Sequence, residues 1–459
     1  MLTQLYQKYK PYYKDNLVLA MPIVVSQLGH TLVHLADSVI VGHFAGTIQL
    51  AAVSLVNSIF MLIMVLGLGI SYGLTPLIAQ TSGRKDQEGC GNLLINSLMI
   101  NVLTAICLYI FVHYGTLSII DHLDQSPAVV AYAKPYLGFL GISIIPLMIF
   151  QTFKQFTEGL GFTKQAMFVS IWGNLINIAL GIIFVKGMFG IAPMGVKGVG
   201  LSTLIDRSIM AVVMCVYVFR SPHFKAYLTG FKITAISKKI VRKIFQIGAP
   251  VAMQYSFEIS AFSGAAILIG TIGAVEQAAH QIAINLASMT YMLASGIASA
   301  ATIKTGNNLG KNNVVDLRRS AIASYHVIIA FMTLTALLFI FTNNILPYIY
   351  TGDTAVIQIA AQLLIIAGFF QLFDGTQVVG LGVLRGIGDV NMPTIITFFA
   401  YWVIGIPLGY VLALKFGFGV DGIWWGLTIG LLTASVLLFL RFQNKTRLLV
   451  AQGSGRSAR

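Results

Sequence analysis

Long apolar runs broken by short polar stretches fill the chain. A helix rises 1.5 Å per residue, so about 20 predominantly apolar residues carry it across a bilayer core. Twelve runs reach that length. Six lie near 16–40, 50–78, 92–113, 134–156, 165–186 and 196–219. Six more lie near 245–270, 277–303, 320–343, 356–383, 393–415 and 420–442. The pattern predicts an all-α membrane protein of twelve transmembrane helices. The first run, from about Leu17 to Val41, exceeds a signal h-region and is expected to be retained as a helix.

The second six runs repeat the first six. A shift of 227 or 228 residues aligns Pro22 with Pro250, Gly42 with Gly270 and Asn57 with Asn285. It also aligns Gly159-x-Gly161 with Gly386-x-Gly388, and Phe189-Gly190 with Phe416-Gly417. Six crossings are an even number, so both copies share one orientation. The duplication predicts two six-helix bundles related by a pseudo-twofold axis along the membrane normal, with a cleft between them, which is a transporter architecture. The expected divisions are an N-terminal bundle at 1–225, a basic cytoplasmic linker at 226–243, a C-terminal bundle at 244–447 and a polar tail at 448–459.

Composition agrees with lipid as the solvent. Of 459 residues, 57% are hydrophobic and 10% charged, too few to build a water-facing surface. Twenty-nine Lys and Arg against 15 Asp and Glu give a net charge of +14. Their positions explain the excess without nucleic acid. The N-terminal segment, the even-side loops and the C-terminus hold 24 of the 29; the other side holds only Lys134, Lys186, Lys197 and Lys415. That bias predicts both termini in the cytoplasm. Seven basic residues between Arg220 and Lys243 are suited to lie along anionic headgroups. Cys90, Cys107 and Cys215 follow no metal or disulfide spacing. Gly-x-Gly pieces such as Gly67-Leu-Gly69 sit inside apolar runs, and no Walker loop is present. No enzyme constellation emerges, so a non-enzyme without a cofactor is expected.

Chemistry is carried by the polar residues inside the runs. A carboxylate at the bilayer centre costs about 2.5–3.5 kcal/mol on insertion scales. Asp37, Glu258 and Asp374 occupy such positions, in runs one, seven and ten. Counted from the nearest inner-side basic residues, Glu258 and Asp374 reach similar depths near the midplane, and Asp37 lies toward the outer side. None of the three has an acidic partner under the repeat shift: Glu258 falls on His30, Asp374 on Leu147 and Asp37 on Gly264 or Ala265. Glu258 and Asp374 could meet near the midplane of the second bundle; a merely hydrogen-bonded buried acid is the alternative for each of the three. His30, His34 and Asp37, at i, i+4 and i+7, share one helix face. That arrangement suits a proton relay or helix packing; a zinc site lacks a further ligand. Asp206 and Arg207 point about 100° apart, which suits pairing with different neighbours or snorkelling; a structural role is the expected one. His280 reads as structural. Asn57, Asn174, Asn177, Asn285, Gln254 and Gln281 are intramembrane amides able to bond between helices or face a wet cavity.

Several stretches resemble one family. Leu35-Ala-Asp-Ser-Val-Ile-Val-Gly-His-Phe-Ala-Gly46 is similar to the first helix of the multidrug and toxic compound extrusion (MATE) family. Phe257-Glu258, Gln277-Ala-Ala-His-Gln281, Phe373-Asp374-Gly-Thr-Gln377 and Leu384-Arg-Gly386 also resemble that family. The likeness covers about 15–445, and the two acids of runs seven and ten resemble the NorM-like branch. It implies a secondary-active antiporter that exports cationic amphipathic drugs and dyes in exchange for Na⁺ or H⁺ by alternating access. It implies cation binding, including Na⁺, at Glu258 and Asp374, and an N-lobe cation or substrate site at Asp37, Asn177 and Thr203. It further implies a monomer in the plasma membrane, the inner membrane of a bacterium, with lipid and small cationic drugs as its partners. Two departures stand out: Phe370 where several relatives carry Tyr, and Gly181 where they carry Asp or Asn. The second removes an oxygen donor from the N-lobe set. A lipid-linked oligosaccharide flippase is the alternative; it would want an Arg- or Lys-rich cavity, and only Arg207 reads as clearly intramembrane. The loop Ser82-Gly-Arg-Lys-Asp86 lacks a major-facilitator signature, and no filter-like loop suggests a channel.

Overall fold

The computed structural model describes residues 2–122 and 125–456. Among them, twelve helices are long and apolar enough to cross a membrane. The first six are α1 (Gln7–Phe44), α2 (Thr47–Gly83), α3 (Gln87–His122), α4 (Pro127–Gly159), α5 (Thr163–Lys186) and α6 (Val196–Arg220). They are followed by α7 (Lys238–Ile272), α8 (Ala274–Gly310), α9 (Val314–Phe341), α10 (Thr354–Ile387), α11 (Asn391–Lys415) and α12 (Gly419–Ala451). The described residues contain no strand. The chain is therefore a multi-pass membrane protein. In lipid a helix satisfies its own backbone groups, which an open sheet cannot do.

Helix starts are set by the polar residues between apolar runs. Asp86 caps α3 by accepting from the Gly89 amide at 2.7 Å, and Asn313 caps α9 by accepting from Asp316 N at 3.0 Å. Asp353 accepts from Ala355 N at 2.9 Å at the head of α10. Ser126 precedes α4, whose first residue, Pro127, needs no amide partner there. Gly388, with φ 85°, ends α10 in the left-handed region that favours glycine. Helices α1, α2 and α8 run several residues beyond the apolar stretches that predict them.

Two compact units form. One, here the N-unit, is Val25–Ala252. The other, the C-unit, takes the chain up to Val24 together with everything from Met253. The first half of α1 thus belongs to the C-unit. Asn16, 1% exposed, anchors it there by donating to Ser320 O at 3.0 Å and Ser324 Oγ at 2.9 Å. Tyr12 Oη donates to Asp316 Oδ1 at 2.5 Å, and Lys304 pairs with Asp15 at 2.8 Å.

Within the C-unit, α8 and α10 touch through small residues. Gly382 lies against the Ala298 backbone, and Thr302 Oγ1 donates to the Gly382 carbonyl at 2.8 Å. An apolar core around Trp424, Phe370, Tyr401 and Leu427 fills the same unit. The segment after α6 makes three short 3₁₀ turns and is held to α3 through Asn96. That side chain donates to Ala235 O at 2.9 Å and accepts from Ser237 N at 2.8 Å. Residues 238–243 of the basic segment are the first turns of α7. The last helix continues through Arg456, and residues 457–459 of the polar tail lie outside the described residues.

Candidate functional sites

The C-unit brings Glu258 and Asp374 together. They come from α7 and α10, are 6% and 4% exposed, and lie within electrostatic range of each other. Their side chains face protein, not the lipid-facing surface. Around them stand three tyrosines from three helices. The Tyr291 hydroxyl of α8 lies within hydrogen-bonding reach of the Glu258 carboxyl. Tyr401 of α11 is within electrostatic range of both acids and donates to Gln377 Oε1 at 3.1 Å. Tyr255 sits one turn before Glu258 and carries the Arg385 guanidinium 5.7 Å from its ring centroid. Glu258, Tyr291, Tyr255 and Arg385 line one small cavity.

The cavity is framed by bonds that place Glu258. One turn earlier on α7, Gln254 donates to Thr394 Oγ1 at 3.0 Å and Val390 O at 3.2 Å. Trp402 Nε1 donates to the carbonyl of Phe257 at 3.3 Å. Both tie α7 to α11. Asp374 Oδ1 has no hydrogen-bond partner among the described residues, and neither end of the Gln371 amide has one. Acceptor oxygens left unpaired in a dry interior cost about 1–3 kcal/mol each unless a cation, proton or water fills them.

Phe370, one turn before Asp374, does not join this cluster. It packs edge-on against Trp424 and Phe262 in the apolar core. His280, read from the sequence as structural, is buried, and Trp424 Nε1 donates to its Nδ1 at 3.2 Å.

The N-unit gathers a second polar set. Asp37 of α1, Asn177 of α5 and Thr203 of α6 are all buried. Asn177 Nδ2 donates to Thr203 Oγ1 at 3.3 Å. Asp37 lies within electrostatic range of Asp206 and Arg207. Asp206 Oδ1 has no hydrogen-bond partner among the described residues, whereas Arg207 is held on other helices. Arg207 donates to Ser143 Oγ at 2.7 Å and lies over the Phe60 ring at 5.5 Å. Tyr136, fully buried, donates to Asn57 Oδ1 at 3.3 Å beside them.

His30 and His34 flank this set differently. His30 is half-buried and its Nε2 has no partner among the described residues, whereas His34 is exposed. Among the described residues no group of three His, Cys, Asp or Glu forms a metal-binding cluster.

One residue corrects the charge map read from the sequence. Lys154, counted there with the inner-side loops, is buried within α4 at 4% exposure. Its Nζ lies 3.9 Å from Glu158 and donates to Ser26 Oγ at 3.3 Å. Arg207 is therefore not alone among cations in the interior. The run 134–156 already holds Lys154, and α4 continues three residues further to Gly159; a paired charge can stay inside. Tyr291, Tyr401 and Tyr255 are not singled out by the sequence because aromatic residues in apolar helices are common, and Arg385 reads there only as an inner-side charge; the packing shows which of them face a carboxylate.

The MatE family model matches the chain at residues 22–183 and again at 250–411, two segments that begin at the aligned prolines Pro22 and Pro250. Among solved structures, a MOP superfamily transporter from Pyrococcus furiosus superposes with a TM-score of 0.87 at 22% identity, covering 95% of this chain and 96% of that one. The eukaryotic MATE transporter AtDTX14 gives 0.85 at 19% identity, over 97% of this chain and 100% of that one. An outward-facing multidrug resistance MATE family transporter gives 0.86 at 22% identity, over 96% and 97%. At these identities the structures show a shared fold. With both repeats matched by the family model over most of its length, the chain belongs to the MatE family of membrane transporters.

Proposed function

We propose that this transporter is a secondary-active antiporter that expels cationic amphipathic compounds in exchange for Na⁺ or H⁺. The observation that carries the reading is the pair Glu258 and Asp374, buried together among tyrosines with an acceptor oxygen left unpaired. A desolvated carboxylate is costly while charged, and an incoming cation relieves that cost. Once Na⁺ or H⁺ neutralises the pair, a cationic substrate loses its attraction and leaves. Coupling then requires only that the cation bind one conformation better than the other. In the same reading Asp37, Asn177 and Thr203 form a second cation or substrate site, and His30 and His34 pass protons toward Asp37. The chain works as a monomer in the plasma membrane of a bacterium, with both termini in the cytoplasm, the side its basic loops favour.

The test is ethidium efflux from cells or inverted vesicles under separately imposed Na⁺ and proton gradients. Glu258→Gln and Asp374→Asn are expected to abolish gradient-driven efflux. Wild-type efflux in both variants would remove the mechanism. A second reading, transport of an anionic lipid-linked oligosaccharide, is favoured by the buried Lys154 and the half-buried Arg207. It predicts no dye efflux under either gradient.

A further inference from the structure

Position 181, where several relatives supply an oxygen, is glycine here, and its surroundings are Ile40 and Ser202 Oγ, each 3.6 Å from where a Cβ would stand. Two turns earlier, on the same face of α5, a carboxylate does stand close. Asp206, 4% exposed, reaches from α6 onto the face of α5 between Gly173 and Asn177. A Cβ at residue 173 would stand 2.5 Å from Asp206 Oδ1, so the glycine makes room for the carboxyl group. Asp206 lies within hydrogen-bonding reach of Asn177 and within electrostatic range of Asp37.

Three oxygens in this set have no partner among the described residues: Asp37 Oδ1, Asp206 Oδ1 and Asn177 Oδ1. Each belongs to a side chain at least nine-tenths buried. All three are acceptors, so they cannot satisfy one another without a proton or a cation between them. Arg207 does not neutralise them at contact. It is held by Ser143 and Phe60, and among the described residues no ion pair of 4.0 Å or shorter joins it to either acid. Two carboxylates and one guanidinium leave a single negative charge. One monovalent cation balances it.

We propose that Asp206 is a ligand of the N-unit cation site, supplying with Asp37 and the Asn177 carbonyl an all-oxygen cage for one Na⁺. Hard oxygen donors of this kind suit an alkali cation. The inference deepens the reading of Asp37, Asn177 and Thr203 as a cation site and rests on it.

The experiment measures binding of radioactive Na⁺ to the purified full-length protein, with choline chloride holding ionic strength constant. The background is Glu258→Gln/Asp374→Asn, so that any Na⁺ retained belongs to the N-unit. That background is expected to keep one Na⁺ equivalent. Adding Asp206→Asn should weaken Na⁺ binding by roughly tenfold or more, the scale of one lost charge-assisted contact. Gly173→Ala, which removes no charge but displaces the Asp206 carboxyl, should weaken it in the same direction. It also serves if Asp206→Asn does not fold, as judged by gel filtration. Gly138→Ala, in open space on α4, should leave binding unchanged.

If Asp37→Asn abolishes Na⁺ binding while Asp206→Asn and Gly173→Ala stay within about twofold of the background, Asp206 is not a ligand and the inference fails alone. If the background binds no Na⁺, or Asp37→Asn changes nothing, the N-unit site itself is wrong and the inference falls with it. The role of Glu258 and Asp374 is judged separately, by efflux.

Discussion

The close approach of α8 and α10 sets the geometry of the C-unit acids, because α10 carries Asp374 and α8 carries Tyr291. Gly382→Ala tests it. A Cβ at residue 382 would lie 2.9 Å from both the Ala298 carbonyl carbon and its Cα. These are backbone atoms, and no rotamer change relieves them. Ordinary carbon contacts start at about 3.5 Å, so the helices must part by roughly half an ångström or more. Parting them also stretches the 2.8 Å bond from Thr302 Oγ1 to the Gly382 carbonyl. Overpacking of this kind costs about 1–3 kcal/mol, and loss of one buried hydrogen bond about 1 kcal/mol more. At about 2–4 °C per kcal/mol for a unit of this size, the apparent unfolding temperature should fall by on the order of 5–10 °C. The assay is thermal unfolding of detergent-solubilised protein followed by gel filtration, with Gly264→Ala as control. Residue 264 belongs to the same unit, and a Cβ there meets nothing within 4 Å. Ethidium efflux should fall in Gly382→Ala and hold in Gly264→Ala. An unfolding temperature for Gly382→Ala within a degree or so of the wild type would show that α8 and α10 tolerate separation, and the argument from close packing would fail.

Other outcomes follow from the same physics. Lys154→Met and Glu158→Gln should each destabilise by about 3–5 kcal/mol, since each strands a buried charge. The double variant should recover most of the loss, which a double-mutant thermal cycle measures. Asn16→Leu removes two buried hydrogen bonds and should cost about 2 kcal/mol. It should also speed protease cleavage near the start of α1, and an unchanged cleavage rate would show that Asn16 is no anchor. Arg441→Met leaves Asp389, whose side chain is 10% exposed, with Lys445 at 3.8 Å as its ion-pair partner among the described residues. A loss of about 1–3 kcal/mol is expected, whereas Lys134→Ala, at an exposed pair, should shift thermal stability by less than about 0.5 kcal/mol. Gln254→Leu removes one of the two ties between α7 and α11, one turn from Glu258. It should weaken cation-dependent efflux more than protein yield, and equal losses in both would assign Gln254 to folding alone.

Much of the architecture is written along the chain. Apolar run length alone predicts twelve crossings, since the bilayer demands about 20 residues per helix whatever the packing. The repeat of Pro22 at Pro250 marks the duplication that the family model also finds. The cost of charge in lipid singles out Asp37, Glu258 and Asp374 before any coordinates. Which residues surround those acids is another matter. Tyr291, Tyr401 and Arg385 are far from Asp374 and Glu258 in sequence or on other helices, and helix periodicity says nothing about facing between helices. The same limit hid the interior place of Lys154, whose charge is tolerated because Glu158 and Ser26 are beside it. It also hid the direction of Asp206, which turns away from its neighbour Arg207 toward the space beside Gly173. Hydrophobicity is summed locally and can be read from one segment at a time. The partner of a buried polar atom depends on rotation and register of separate helices, and only the tertiary structure sets those.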